Sequence, residues 1–316
     1  MPVRLTRWGR SPYETDPDLA AERAALERLG VTYRPLPQGA PAADLDDPDV
    51  LVVTSLTSVG APELDAAPRC RLLVTTTSGH DHLDLDVARA RGIAVARCPL
   101  ARRDAVVEAT LALILALLKD LPRLSDDARA GRWARADLPS RPIALLGGLP
   151  VGVVGLGVIG ARVAATLAAL GARVRGVDPA VRLPGVEEAP LPDLVATCRV
   201  VTLHCSLGPG APPVLDAPLL ARARPDAVLV NTARGGVLDL PAAFAALEAG
   251  RLGGLGLDVF PEEPYPGLAR IAAHPRVLCT PHGAGYHPGL GAAIAGELVD
   301  CVSAFLAGRS VPHRVA

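Results

Sequence analysis

The chain has 316 residues, of which 50% are hydrophobic and 21% charged, and its formal net charge is −1. That length exceeds one ordinary hydrophobic core and predicts two domains. The near-neutral balance excludes an overall basic field for nucleic acid or an anionic membrane. Lys119 is the only lysine, so the positive charge is almost all arginine. Six scattered cysteines (Cys70, Cys98, Cys198, Cys205, Cys279, Cys301) form no CxxC pair, which predicts free thiols, a reducing compartment and no metal site. Residues 1–16 lack an apolar signal core, and the longest greasy run, 109–118, is too short to span a bilayer. A cytoplasmic protein without membrane partners is expected.

The first hundred residues alternate short apolar strands with helices. Asp16-Pro17 reads as a helix N-cap and first-turn pair, and Gly30 closes that helix. Residues 50–54 and 72–76 read as buried parallel strands. Asp84 caps a helix that ends at Gly92, and 93–97 is another strand. This βαβ rhythm predicts a parallel sheet covered by helices. Ser78-Gly79-His80-Asp81-His82 follows one strand directly, where backbone amides could receive an anion or simply turn the chain. Residues 104–121 predict one long helix, apolar on most faces and ended by Pro122, with a more polar helix running to about Trp133. A linker rich in Pro and Gly occupies 139–148.

The central signal is Val151-Gly152-Val153-Val154-Gly155-Leu156-Gly157-Val158-Ile159-Gly160. A β-branched run breaks into three glycines and then a helix, the pattern that aims a helix N-terminus at a pyrophosphate. Gly155 permits the turn, Gly157 lets phosphate approach the backbone, and Gly160 lets helix and sheet pack closely. A second strand, 173–177, ends in Asp178, close to the about 20 residues at which the fingerprint places its ribose-binding acid. Asp178 favours NAD, since its carboxylate bonds a free 2′-hydroxyl and repels a 2′-phosphate; Arg182 nearby softens that preference toward NADP. Further strands are predicted at 200–204, 227–231, 253–259 and 277–280, with helices at 240–249 and 291–306. The last helix crosses back to the first domain, making the nucleotide domain an insertion. The boundaries expected are 1–100 plus 286–316 for the substrate domain and 101–285 for the nucleotide domain.

Three polar sites follow the last strands: Asn231-Thr232-Ala233-Arg234-Gly235-Gly236, Asp258-Val259-Phe260-Pro261-Glu262-Glu263-Pro264 and Thr280-Pro281-His282-Gly283. Strand ends of one parallel sheet share an edge, so an arginine, a carboxylate and a histidine can converge there. Reduction of a 2-keto acid needs such a set. A guanidinium grips the carboxylate and polarises the carbonyl. An imidazole donates the proton. A carboxylate beside it fixes the tautomer and favours the charged form. Taken singly, each is equally at home as an ordinary loop residue.

On these motifs the chain resembles the D-isomer-specific 2-hydroxyacid dehydrogenases over nearly its whole length. The resemblance implies a Rossmann-type nucleotide domain inserted into a flavodoxin-like substrate domain, both doubly wound parallel sheets. It implies an NAD-dependent dehydrogenase for a small 2-keto or 2-hydroxy acid, with Arg234, Glu263 and His282 catalytic. Glu263 is preferred to Glu262 because the family's glutamate directly precedes the proline. Gly155, Gly157, Val158, Ile159, Gly160, Asp178, His204, Thr232, Asp258 and Gly283 are expected at the cofactor, with Asp258 on the nicotinamide carboxamide. Ser78 and Gly79 are expected at the substrate carboxylate. A homodimer through the cofactor domain is also implied. Departures are Leu100 and Arg102, where relatives commonly show glycine and asparagine, and Ser206-Leu207-Gly208-Pro209-Gly210-Ala211 in place of a Pro-Leu-Thr-type segment. Arg102 either reaches the substrate pocket or points to solvent, where most arginines lie. Thr54 stands where phosphoglycerate-type relatives often carry arginine, which argues against a phosphorylated substrate. A regulatory domain of the kind found in many of those relatives is not expected. Two other readings share the fold: an NAD(H)-sensing regulator without turnover, and hydride chemistry on another substrate such as an inorganic oxyanion.

Overall fold

The computed structural model describes residues 2–208 and 210–316; Met1 and Pro209, the latter inside the altered segment after His204, lie outside the described residues. The chain divides into two compact units, Met1–Arg102 with Tyr286–Ala316, and Arg103–Gly285. Each is built on its own parallel sheet.

The first unit carries β1 (Val3–Trp8), α1 (Asp16–Glu27), β2 (Val31–Leu36), β3 (Val50–Val53), α2 (Ala61–Asp65), β4 (Leu72–Thr75), α3 (Leu85–Ala90) and β5 (Ala94–Arg97). The strand order is β2-β1-β3-β4-β5, the flavodoxin-like arrangement. β1 and β2 lack the clean apolar runs of β3 and β4, and the sequence did not mark them individually. β2 contains Pro35, which an edge strand tolerates. Leu5, Val50, Val52, Leu72 and Val74 form one core face, while Leu51, Val53, Leu73 and Val95 form the other. A sheet buried on both faces explains strands that are apolar throughout. α1 is capped by Thr15 rather than Asp16: its hydroxyl accepts from the Asp18 N–H at 3.3 Å, and Asp18 accepts from the Thr15 N–H at 2.9 Å.

The second unit holds a seven-stranded sheet in the order β12-β11-β10-β9-β6-β7-β8. Its strands are β6 (Pro150–Val154), β7 (Arg173–Val177), β8 (Glu187–Glu188), β9 (Val200–Leu203), β10 (Val228–Asn231), β11 (Gly254–Leu257) and β12 (Val277–Cys279). The order reverses at β6, so β6 and β9 flank the switch point where open α/β sheets bind ligands.

α4 (Leu100–Leu118) starts four residues before the position expected from the sequence, and the unit boundary falls in its first turn. The cause is long-range. The Glu297 carboxylate, from the helix Leu290–Leu306, accepts from the N–H groups of Leu100 at 3.0 Å and Ala101 at 2.8 Å. Pro122 does not end α4. Asp120, in the left-handed region at φ 55°, breaks the chain first, and Pro122 lies in the first turn of α5 (Leu121–Arg129), where its missing N–H goes unneeded. α4 packs on the second sheet at its glycines: a Cβ on Gly256 would lie 3.2 Å from Leu113.

Candidate functional site

The glycine turn after β6 has the three mechanical features its spacing implies. Gly155 has φ +89°, and a Cβ there would stand 2.6 Å from the backbone of His204 and Cys205. Gly157 has open space where its Cβ would be, and it starts α6 (Val158–Ala169) with no side-chain cap. A Cβ on Gly160 would fall 1.9 Å from the Gly155 carbonyl oxygen. The N-terminus of α6 is therefore uncapped, unobstructed and polarised for an anion, so a dinucleotide's pyrophosphate fits it. Val158 and Ile159 occupy its first turn.

Asp178 follows β7. Its Oδ2 accepts from the Leu156 N–H at 2.8 Å, and its Oδ1 from those of Ala180 and Val181 at 2.9 Å each. Burial pushes the carboxyl up, but those three donors outweigh it and hold Asp178 below the usual carboxylate range. His204, beyond β9, has its imidazole enclosed beneath the turn. Its Nε2 lies 2.9 Å from Thr202 Oγ1, its Nδ1 has no protein partner, and burial pushes it down to about 3. A neutral ring there supports the glycine turn from below.

β10, β11 and β12 are neighbours in the sheet, and their carboxyl ends carry the other expected residues. Asn231 closes the Arg234 turn: Oδ1 accepts from the Ala233 N–H at 3.1 Å, and Nδ2 donates to the Arg234 carbonyl at 2.9 Å. The Arg234 guanidinium donates to the Ala233 carbonyl at 2.8 Å. Gly235 presses on the next loop so closely that a Cβ would sit 1.9 Å from the Phe260 carbonyl group. Thr232 is buried, 2.9 Å from the Thr110 hydroxyl of α4.

Asp258, 1% exposed, organises the histidine loop. Its Oδ1 accepts from the Thr280 hydroxyl at 2.6 Å and the Gly283 N–H at 2.8 Å, and its Oδ2 from the Ala284 N–H at 3.0 Å. The Asp258 carbonyl accepts from the His282 N–H at 2.8 Å. His282 itself has φ 53°, a left-handed backbone that non-glycine residues adopt at a cost. Its Nδ1 lies 2.6 Å from Glu263 Oε2, while Glu263 Oε1 accepts from the Phe260 N–H at 3.0 Å. Both side chains remain accessible, at 50% and 37%. The sequence gives Asp258 a role but none to Thr280 and Asn231 in the same motifs: Thr280 bonds the neighbouring strand end at Asp258 and Asn231 closes its own Arg234 turn, and neither leaves a periodic signal.

In the first unit, the segment after β4 turns its carbonyls inward. Arg97 donates to the Ser78 carbonyl at 2.8 Å and Arg102 to the Thr76 carbonyl at 2.5 Å. The Cys98 N–H donates to the Thr77 carbonyl at 3.1 Å. A trans peptide points its N–H opposite its carbonyl, and the N–H groups of Ser78 and Gly79 have no protein acceptor among the described residues. Arg102 is half-buried, not solvated as most arginines are. Burial lowers its pKa, with Glu14 opposing, and no carboxylate lies within 4 Å of it or of Arg97 among the described residues.

Two parallel α/β units, one with a glycine turn and an uncapped helix N-terminus at its switch point, define a dinucleotide-binding protein with a second, flavodoxin-like unit. Residues 111–284 match the family model described as D-isomer specific 2-hydroxyacid dehydrogenase, NAD binding domain, and the chain belongs to that family. It is similar to the D-3-phosphoglycerate dehydrogenase of Mycobacterium bovis, 34% identical over 287 residues, covering 86% of this chain and 52% of that protein. The chain thus spans about half the length of the curated relatives it matches. Among solved structures, the D-lactate dehydrogenase of Aquifex aeolicus, complexed with NAD and lactic acid, is 27% identical with TM-score 0.82 over 96% of each chain. The NADPH-dependent glyoxylate/hydroxypyruvate reductase of Sinorhizobium meliloti, in complex with NADP and malonate, is 28% identical with TM-score 0.80 over 100% of this chain and 97% of that one. Among the described residues no helix is long and apolar enough to cross a membrane, and no group of three or more His, Cys, Asp or Glu residues could hold a metal.

Proposed function

We propose that the protein is an NAD-dependent oxidoreductase that interconverts a small 2-keto acid and its D-2-hydroxy acid. The observation that carries this reading is the 2.6 Å His282–Glu263 pair at the carboxyl edge of an NAD binding domain, one strand end beyond Asp258 and two beyond Arg234. The bound coenzyme supplies or takes the hydride. Gly155, Gly157, Val158, Ile159 and Gly160 receive its pyrophosphate, and Asp178 its adenosine ribose. Thr232, Asp258 and Gly283 bound the nicotinamide end, with His204 holding the turn beneath. Glu263 keeps His282 Nδ1 protonated and oriented, which leaves Nε2 to give its proton to the substrate carbonyl oxygen during reduction and to take one during oxidation. Arg234 grips the carboxylate and polarises the carbonyl. In the first unit, the Ser78 and Gly79 amides and the Arg102 guanidinium are donors suited to an anion.

A screen of 2-keto acids for NADH oxidation tests this. Turnover of a short acid is expected; coenzyme binding with no acid reduced would overturn the reading in favour of a sensor. Asp178→Ala is expected to weaken NADH binding and narrow the preference over NADPH. We further propose a homodimer through the cofactor unit, supported by the exposure of Trp133 (87%) and Leu145 (74%) on that unit. Light scattering that returns the monomer mass would refute it.

A further inference from the structure

We propose that Glu188 is a second coenzyme-selecting residue, acting by holding Arg182 away from the position a 2′-phosphate would take. The inference rests on the nicotinamide-coenzyme reading above. Solved structures of this fold carry NAD in one relative and NADP in another, so the fold leaves the choice open.

The cavity beyond Asp178 is lined by Leu156, Gly176, Asp178, Val181, Arg182 and Glu188, among others. It therefore contains two carboxylates and one guanidinium. An arginine in this place is the usual means of accommodating a 2′-phosphate, but Arg182 is already committed. Its Nη1 donates to the Asp178 carbonyl at 2.6 Å and to the Val181 carbonyl at 3.2 Å, and its Nε lies 2.6 Å from Glu188 Oε2.

Glu188 is well placed to hold it. It lies on β8, whose register pairs it with Gly176 of β7, so its backbone is fixed to the sheet edge. Its neighbour Glu187 is engaged elsewhere, with Oε1 2.9 Å from Arg175 Nε. The two carbonyls that also hold Arg182, those of Asp178 and Val181, belong to the backbone and not to a side chain that could swing away. A phosphorylated ribose would meet the Asp178 carboxylate, while Arg182, the one guanidinium of the lining, is turned to Glu188 and to backbone carbonyls. A free 2′-hydroxyl encounters none of this penalty.

The Arg182–Glu188 pair is more than half exposed on both sides, at 55% and 60%, so its hold is modest and Asp178 remains the stronger selector. A pair of this kind corresponds to a roughly two- to five-fold change in a binding ratio. The test is fluorescence titration of NADH and of NADPH against the native chain, Glu188→Gln, Glu188→Ser and the double variant Glu188→Gln/Arg182→Leu, with melting curves verifying that each variant folds. The expected result is tighter NADPH binding by roughly two- to five-fold in both single variants, unchanged NADH binding, and loss of the gain in the double variant. An unchanged NADPH-to-NADH ratio in both single variants, with NADH still bound, overturns the proposal and leaves the coenzyme reading standing. A gain that survives in the double variant also overturns it, because the charge of Glu188 would then act without Arg182. Failure of the native chain to bind either coenzyme overturns both.

Discussion

The strand ends of the two sheets solve different problems. In the second unit, Asp258 satisfies Thr280, Gly283 and Ala284, Asn231 ties down its own Arg234 turn, and Gly235 locks one loop on the next. In the first unit, the segment after β4 has its carbonyls tied back by Arg97, Arg102 and Cys98, which leaves the Ser78 and Gly79 amides without protein acceptors among the described residues. The one edge is a self-satisfied scaffold that fixes a proton-transfer pair. The other keeps donors and desolvated positive charge in reserve. A buried polar group that finds no partner inside the protein is the better sign of something that binds.

That contrast can be challenged directly. The largest effect is expected from His282→Ala, a loss of about 10²–10⁴-fold in turnover with NADH affinity nearly unchanged; equal loss of both would make the histidine structural. Arg102→Leu removes one charged donor from the first unit's edge and is expected to raise KM for the keto acid about tenfold, with kcat less affected. An unchanged KM would place Arg102 outside the substrate site. Gly235→Ala is expected to lower stability by about 1–3 kcal/mol, because its new Cβ must displace the Phe260 backbone; thermal melting measures this.

The smallest effect is a pH slope. His204 falls from its ordinary 6.5 to about 3 in the folded chain because burial disfavours its charged form. Between those values the unfolded chain binds more protons, so stability falls as pH drops through that window. His204→Asn is expected to flatten the melting temperature against pH there, and an equally steep curve would mean the ring is not enclosed.

Much of this architecture was readable beforehand, for identifiable reasons. β3, β4, β6 and β9 to β11 are buried on both faces and announce themselves as apolar runs, while Gly155, Gly157 and Gly160 each carry a local backbone requirement. Three features were hidden. The start of α4 depends on Glu297, nearly two hundred residues away. β1 breaks its alternation at Arg7, a charge in an apolar phase that is satisfied inside, paired with Glu14 at 2.6 Å and Glu22 at 3.2 Å. The environment of Arg102 depends on the Thr76 carbonyl, and composition alone would have left it in solvent.

The left-handed backbone at His282 has a consequence for the history of the chain. Glycine or asparagine would occupy that conformation at lower cost. Variants selected only to survive heat, with no demand for turnover, should drift to those residues at position 282. Persistence of the imidazole under such a regime would show that the loop needs the ring to keep its shape.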